Sequence, residues 1–352
     1  MVEAPLEGCS VPRGGVQMLV KVDFEAARLL GGSLKVIASR TPLDSFTDPD
    51  FYPPVNASRR DLVSYFLVMV AMDHRLSRPG RPYEAVIDGR LYHGADLLYK
   101  LGSKKYGEDP GFFEAERLSR ITLRDVLEWL SVESEGKTVK PPDPEVRVEL
   151  LRDLGVKLLK LYDGDPYTII VESANYLKRG VQGGFINILK IFKAYQDPIE
   201  KKNYLLAKFL ERRRVLEIVD DYNKEVPVDN HLVRIAIRTG IVDVDPETLE
   251  AIALGVEFTE EKDIVLRKTA RIAYKEVAKA ANIDPFILDD ILWAFGRKCC
   301  TRENPTCKHT CRVECAKIGG CNGGCPLAGI CKAYRNPIYM VPEHNYTNTW
   351  WY

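Results

Sequence analysis

The chain has 352 residues, 45% of them hydrophobic and 28% charged, the balance of a globular protein long enough for two or three domains. Its 50 basic and 50 acidic residues cancel to a formal net charge of zero, which excludes a global field drawing it onto nucleic acid or anionic membrane; any such contact must be local. The longest apolar stretch, Leu62 to Met72, is too short to span a bilayer, no secretory signal is readable at Met1, and the expected compartment is the cytoplasm.

In chain order, residues 1–58 carry two short apolar runs, Val16 to Val22 and Ser33 to Ala38, and read as an N-terminal arm or small β hairpin. Thr41 to Asn56, with four prolines, reads as irregular connection. From Arg59 the helical period dominates: Val63, Phe66, Leu67 and Val70 lie on one stripe that Ser58 or Asp61 can cap. This first helical block, 59–144, closes with the polar segment Ser131 to Pro144. A second helical core is expected over 145–298, with helices across 145–161, 166–179, 184–195 and 198–221, each bounded by Gly, Pro or Asp. Leu266, Ala270, Ala273, Val277 and Ala280 then form an inward stripe. Beside it Arg267, Arg271 and Lys275, four residues apart, read as a cationic ridge of the kind that usually faces solvent. Asp284-Pro285 opens a further helix that leads into a cysteine-rich loop, 299–331, and a tail, 332–352. The expected fold class is mainly α. Glutamine occurs only at Gln17, Gln182 and Gln196 while Glu, Lys and Arg abound, a thermophilic lean.

Two segments carry chemistry. Asp229 stands where it caps a short helix in which Leu232, Ile235 and Ala236 turn inward and Arg234 and Arg238 share a face. Backbone N–H groups and the positive helix end should keep that carboxylate ionised, and a fixed carboxylate suits cleavage of an N-glycosidic bond, where it stabilises oxocarbenium-like charge or orients a nucleophile. The plainer reading is an ordinary N-cap. Farther on, eight of the nine cysteines fall between Cys299 and Cys331; Cys9 stands alone. Thiols in a reducing cytosol favour metal ligation over disulfides, which a hyperthermophilic host would also allow. Six residues separate Cys300 from Cys307 and five separate Cys325 from Cys331. The same loop carries Arg302, Lys308, Arg312 and Lys317, which a metal-stiffened loop could present to nucleic-acid phosphates and a solvated loop would carry equally well.

The run Val228-Asp-Asn-His-Leu-Val-Arg-Ile-Ala-Ile-Arg-Thr-Gly240 resembles the Val-Asp-Thr-His-Val, Arg, Arg-Thr/Leu-Gly motif of the helix-hairpin-helix base-excision DNA glycosylases, the endonuclease III superfamily. Leu292 to Cys307 and Cys325 to Cys331 are similar to the two ends of that family's iron-sulfur loop, in the family's order. The resemblance covers about residues 150–331. It implies a helix-hairpin-helix glycosylase-like helical fold with an N-terminal extension and a C-terminal cluster loop, Asp229 as catalytic aspartate, a 4Fe-4S cluster on Cys300, Cys307, Cys325 and Cys331, and damaged DNA as partner. Lys201 and Lys202 lie in a segment similar to the lysine region of the archaeal 8-oxoguanine glycosylases, which implies a Schiff-base amine and lyase activity. The chain departs from the pattern in two places. Cys311, Cys315 and Cys321 intervene before Cys325, and with Cys299 they are left for alternative ligation, a second site of zinc type, or disulfides. Phe209 to Arg214 stands where the family's Gly-rich hairpin belongs.

A looser resemblance joins Leu62 to Val68, Tyr92 to Tyr99, Asp109 to Phe113 and Leu118 to Asp125 to the queuosine salvage glycosidases, which implies a modified nucleotide as substrate. Under either resemblance Asp229 cleaves an N-glycosidic bond. A third reading, from another class, is a non-catalytic nucleic-acid-binding or redox iron-sulfur protein.

Overall fold

A computed structural model, which describes residues 18–39, 41–78, 81–308, 313–317 and 324–352, is mainly helical, with 15 α-helices among those residues. They are α1 Phe24–Ala38, α2 Arg59–Ala71, α3 Ala95–Glu108, α4 Ala115–Ser119, α5 Leu123–Leu130, α6 Pro144–Tyr162, α7 Tyr167–Ser173, α8 Phe185–Leu189, α9 Lys201–Arg212, α10 Asn230–Thr239, α11 Pro246–Ala253, α12 Glu260–Ala281, α13 Pro285–Lys298, α14 Val313–Lys317 and α15 Lys332–Arg335. The short strands are β1 Val20–Val22, β2 Ser77–Arg78, β3 Arg81–Pro82, β4 Glu84–Ile87, β5 Arg90–His93, β6 Val132–Ser134, β7 Lys137–Val139 and β8 Val242–Val244, paired two by two. No helix among the described residues is long and apolar enough to cross a membrane.

Local chemistry sets the ends of the helices that matter here. Ser58 Oγ accepts from Asp61 N at 3.1 Å to start α2, and Asp284 with Pro285 starts α13. Gly240, with φ 87°, closes α10 in the left-handed conformation that favours glycine. The helix expected over 198–221 stops at Arg212, because Arg213 turns back to bond the carbonyls of Phe46, Pro53 and Pro54.

Burial divides into two cores. In the first, α2 is enclosed on every side from Leu62 to Ala71, so that stretch is mostly apolar all round rather than amphipathic, and Phe66 packs against Phe209 of α9 with ring centroids 5.2 Å apart. The second is built from α1, α10, α12 and α13. The segment 131–144 holds the β6–β7 hairpin, and the first core continues across it from Leu130 to Leu150.

The N-terminal expectation needs correction. Ser33 to Ala38 is helical, as the end of α1, and β1 pairs antiparallel with the distant β8, Val20 opposite Val244. The run was misread because Gly31 and Gly32 break its helical pattern; Gly31 is there for contact, since a Cβ on it would lie 2.8 Å from Ala280 Cβ on α12.

Candidate active site and sulfur pocket

The two cores meet where α9 and α10 begin. Asp229 caps α10, its Oδ1 accepting from Leu232 N at 2.9 Å, with backbone in the extended region. Burial raises the carboxyl above the usual aspartate range, against the pull of Lys201 and of the Leu232 N–H, and Asp73 and Glu343 push the same way as burial. The cap N–H and the Lys201 ammonium work to keep the carboxyl ionised, and the lost hydration works against them.

Lys201 opens α9. Its side chain is 9% exposed, and its Nζ lies 3.9 Å from Asp73 Oδ2, in the bend after α2. Arg147 of α6 fixes that bend by donating to the carbonyls of Met72 and His74. Lys202 points elsewhere: it is fully enclosed, donates to Ala71 O at 2.5 Å, and lies 3.3 Å from His74 Nδ1. Burial holds its amine well below the ordinary lysine range. Of the two lysines, Lys201 is the one whose charge reaches Asp229.

The start of α9 is anchored from the second core. Asp197 accepts from Ile199 N and Lys201 N, both at 2.9 Å, while Arg267 of α12 forks onto both its oxygens at 2.9 and 2.8 Å. Arg267 Nε also donates to Asp263 Oδ2 at 2.9 Å; Asp263 Oδ1 takes His344 at 2.8 Å and the Tyr352 hydroxyl at 2.5 Å. Arg267 is thus wholly buried, Arg271 bonds Ile199 O, and Lys275 pairs with Glu225 at 2.7 Å, so the supposed ridge is not a row of free cations.

The tail is part of this junction. Tyr352 O accepts from Arg75 N, Trp350 Nε1 donates to Lys193 O, and Glu343 pairs with Arg234 while standing 3.8 Å from His231. Gly296 of α13 lies under His231, where a Cβ would come within 2.1 Å of Nε2. Burial keeps that imidazole well below its ordinary pKa, hence neutral.

Helix α10 runs from Asp229 to a pocket lined by Cys300, Cys307, Cys325 and Cys331. All four are free thiols. Arg234 Nη2 donates to the carbonyls of Gly296 and Cys300 at 2.9 and 2.7 Å. Arg238 Nε, Nη1 and Nη2 donate to Val341 O, Thr301 O and Arg302 O at 2.8, 2.7 and 2.8 Å, and Nη1 lies 3.5 Å from Cys300 Sγ. Burial raises Cys307 and Cys331 and carries Cys325 up to about 12, with the neighbouring thiols adding to the rise. Among the described residues no three His, Cys, Asp or Glu stand close enough to chelate a single ion. Four thiols around one pocket, with arginine N–H beside them, fit a four-iron cluster.

The leftover cysteines divide. Cys299 and Cys315 form a disulfide beside this pocket, which removes both from the candidate metal ligands; Cys311 and Cys321 lie outside the described residues. Arg302, 41% exposed at its side chain, stands 3.4 Å from Glu303 and 3.6 Å from Glu343. Lys308 and Lys317 are exposed, and Arg312 lies outside the described residues. A separate surface cleft of about 690 Å³, lined by Leu19, Asp243, Leu249, Ile338 and Tyr339, contains none of the predicted site residues.

No protein-family model and no curated protein matches the chain. The reading of the site rests on its own residues. Arg147, Asp197, Glu343 and Tyr352 gave no local signal; for Asp73, the polar pair Asp73-His74 directly after the apolar run of α2 could have marked that bend.

Proposed function

We propose that the protein cleaves an N-glycosidic bond, most simply as a DNA base-excision N-glycosylase with lyase capacity. One observation carries the reading: Asp229 and Lys201, at the first turns of two helices from different cores, are within electrostatic reach of each other. The carboxylate would stabilise positive charge on the sugar or orient the attacking group. The Lys201 amine, in its neutral form, would attack the anomeric carbon as the bond to the base breaks, the bonding pair leaving with the base and the amine's surplus proton passing to it. Cys300, Cys307, Cys325 and Cys331 would hold a 4Fe-4S cluster, which when bound supplies a rigid brace for the loop that Arg234 and Arg238 grip.

A second reading, a nucleotide N-glycosidase of queuosine type, draws on one feature. The stretch before Asp229 offers no glycine nest for a DNA phosphate, and Arg212 and Arg213 there are spent on Asp290 at 3.0 Å and on backbone carbonyls. The deciding experiment offers damaged duplexes and free 7-deazaguanine nucleotides side by side, with borohydride trapping. Base release from duplex, lost on the order of a hundredfold or more in Asp229→Asn, with a trapped adduct lost in Lys201→Ala but kept in Lys202→Met, is the expected result. Release from free nucleotides alone selects the second reading, and full base release by Asp229→Asn refutes both.

A further inference from the structure

The residue before Lys201 gathers more positive charge than it needs. Glu200, 5% exposed at its side chain, takes Lys190 Nζ at 2.5 Å, Lys178 Nζ at 2.8 Å and Arg271 Nη1 at 3.4 Å. One carboxylate against three cations leaves two positive charges in excess, in a chain whose net charge is zero. Lys178 and Lys190 remain 32% and 41% exposed, so each ammonium keeps donors facing outward. Arg179, exposed beside Lys178, stacks on Tyr176 at 5.3 Å and has no carboxylate partner among the described residues. Of the other carboxylates on this side, Glu225 pairs with Lys275 at 2.7 Å, and Asp220, which accepts from the N–H groups of Leu177 and Lys178, is balanced in charge by Arg179.

A second observation is independent of charge. Tyr204, one turn into α9, is fully buried with its ring 5.6 Å from Lys178 Nζ, and its hydroxyl has no hydrogen-bond partner. An enclosed donor left unpaired costs free energy on the order of 1–3 kcal/mol, and in native proteins such groups mark an absent partner. The Lys178 ammonium over its ring sets this phenol beside the same cluster.

We propose that Lys178, Lys190, Arg271 and the Tyr204 hydroxyl form a binding site for a phosphate ester, one residue from Lys201. In the free protein Glu200 holds the cations in place; a doubly charged or diester phosphate then uses their outward donors. The ligand class is a phosphorylated form of the glycosidic substrate, either a nucleotide or the backbone of a nucleic acid. The inference rests on the glycosidic reading for that choice of ligand, but the binding can be measured without any reaction.

The test uses the full chain and three fluorescent or calorimetric probes: a nucleoside, its 5′-monophosphate and a short duplex. The variants are Lys178→Gln with Lys190→Gln, and Tyr204→Phe. In the double variant the affinity for monophosphate or duplex should fall on the order of tenfold or more with the nucleoside unaffected, and the salt slope for duplex should drop by about two. Tyr204→Phe removes only an unpaired hydroxyl, so it should fold normally and weaken the same ligands several-fold; it decides the matter if the double variant fails to fold. Loss confined to duplex assigns the phosphate to a backbone, and loss confined to monophosphate assigns it to a nucleotide. Unchanged binding of both, equal weakening of the nucleoside, or no phosphate-dependent binding by the wild type overturns the proposal. Phosphate-dependent binding that persists without base release would instead fault the glycosidic reading.

Discussion

Replacing Arg267 with methionine keeps the bulk of the side chain and removes the one cation shared by Asp197 and Asp263, all three fully enclosed. Removing one partner of a buried ion pair typically costs about 3–5 kcal/mol, because the charge left behind cannot regain its water. Here Asp197 keeps the N–H groups of Ile199 and Lys201, and Asp263 keeps His344 and Tyr352, so the lower half of that range, about 3–4 kcal/mol, is expected. Against a typical stability of about 5–15 kcal/mol this moves a urea midpoint strongly at unchanged slope. Burial works to raise Asp263, but the bond from His344 and the charge of Arg267 outweigh it and hold its carboxyl below the usual range. A depressed carboxylate contributes stability that is full above its unfolded pKa, about 3.9, and lost as pH falls through the lower folded value. The gap between wild type and Arg267→Met should therefore be widest near neutrality and narrow below about pH 4. Arg267→Lys keeps the charge, loses the fork, and should fall between the two. A midpoint for Arg267→Met within about 0.5 kcal/mol of wild type, or a gap that does not change with pH, would refute the reasoning.

Three further outcomes are expected. Gly296→Ala gains about 1 kcal/mol of helix propensity but drives a methyl group to 2.1 Å from His231 Nε2 and 2.7 Å from Ile235 Cδ1, so chemical denaturation should show a net loss of about 1–2 kcal/mol; a stabilised variant would mean α10 and α13 yield freely. Cys300→Ser, Cys307→Ser, Cys325→Ser and Cys331→Ser should each lose iron and visible absorbance in an anaerobic preparation. Cys299→Ser should keep them and lose about 3 kcal/mol of stability with its 16-residue cross-link; iron lost in Cys299→Ser alone would reverse the assignment. Single-turnover base release should fall on its acid side at a pH above the ordinary aspartate value of about 3.9, since burial raises Asp229 and release needs the ionised form. An inflection at or below that value would remove Asp229 from the reaction.

How much could be read beforehand depended on whether the partner was near in sequence. Asp229 as a cap, Arg234 and Arg238 on one face, and the inward stripe of α12 follow from spacing within one helix, and all three stand in the fold, with Ala280 of the stripe only half-buried. Arg267 was misjudged on the same rule, because a four-residue row of cations looks like a wet face until Asp197 and Asp263 arrive from elsewhere. Lys201 and Lys202 are neighbours and indistinguishable by pattern; only the direction of each side chain, one towards Asp73 and one towards Ala71 O, separates them. The tail carried no periodicity, since Glu343, His344 and Tyr352 act through contacts with residues far away in sequence. The four-thiol pocket kept the outer spacings, while the disulfide took a pair that spacing alone left open.

Arg238 stands nine residue steps from Asp229 along α10, about 14 Å of rigid rod at 1.5 Å per residue. Over that span proton sharing and direct ligation are out of reach, so the sulfur pocket and the carboxylate can influence one another only as two ends of a lever. A tilt of about 5° at the arginine end swings the carboxylate by about 1 Å, the scale of misplacement that can cost a reaction a hundredfold. Damage to the cysteine loop would therefore register at Asp229 as lost aim, with the chemistry of the carboxylate itself untouched.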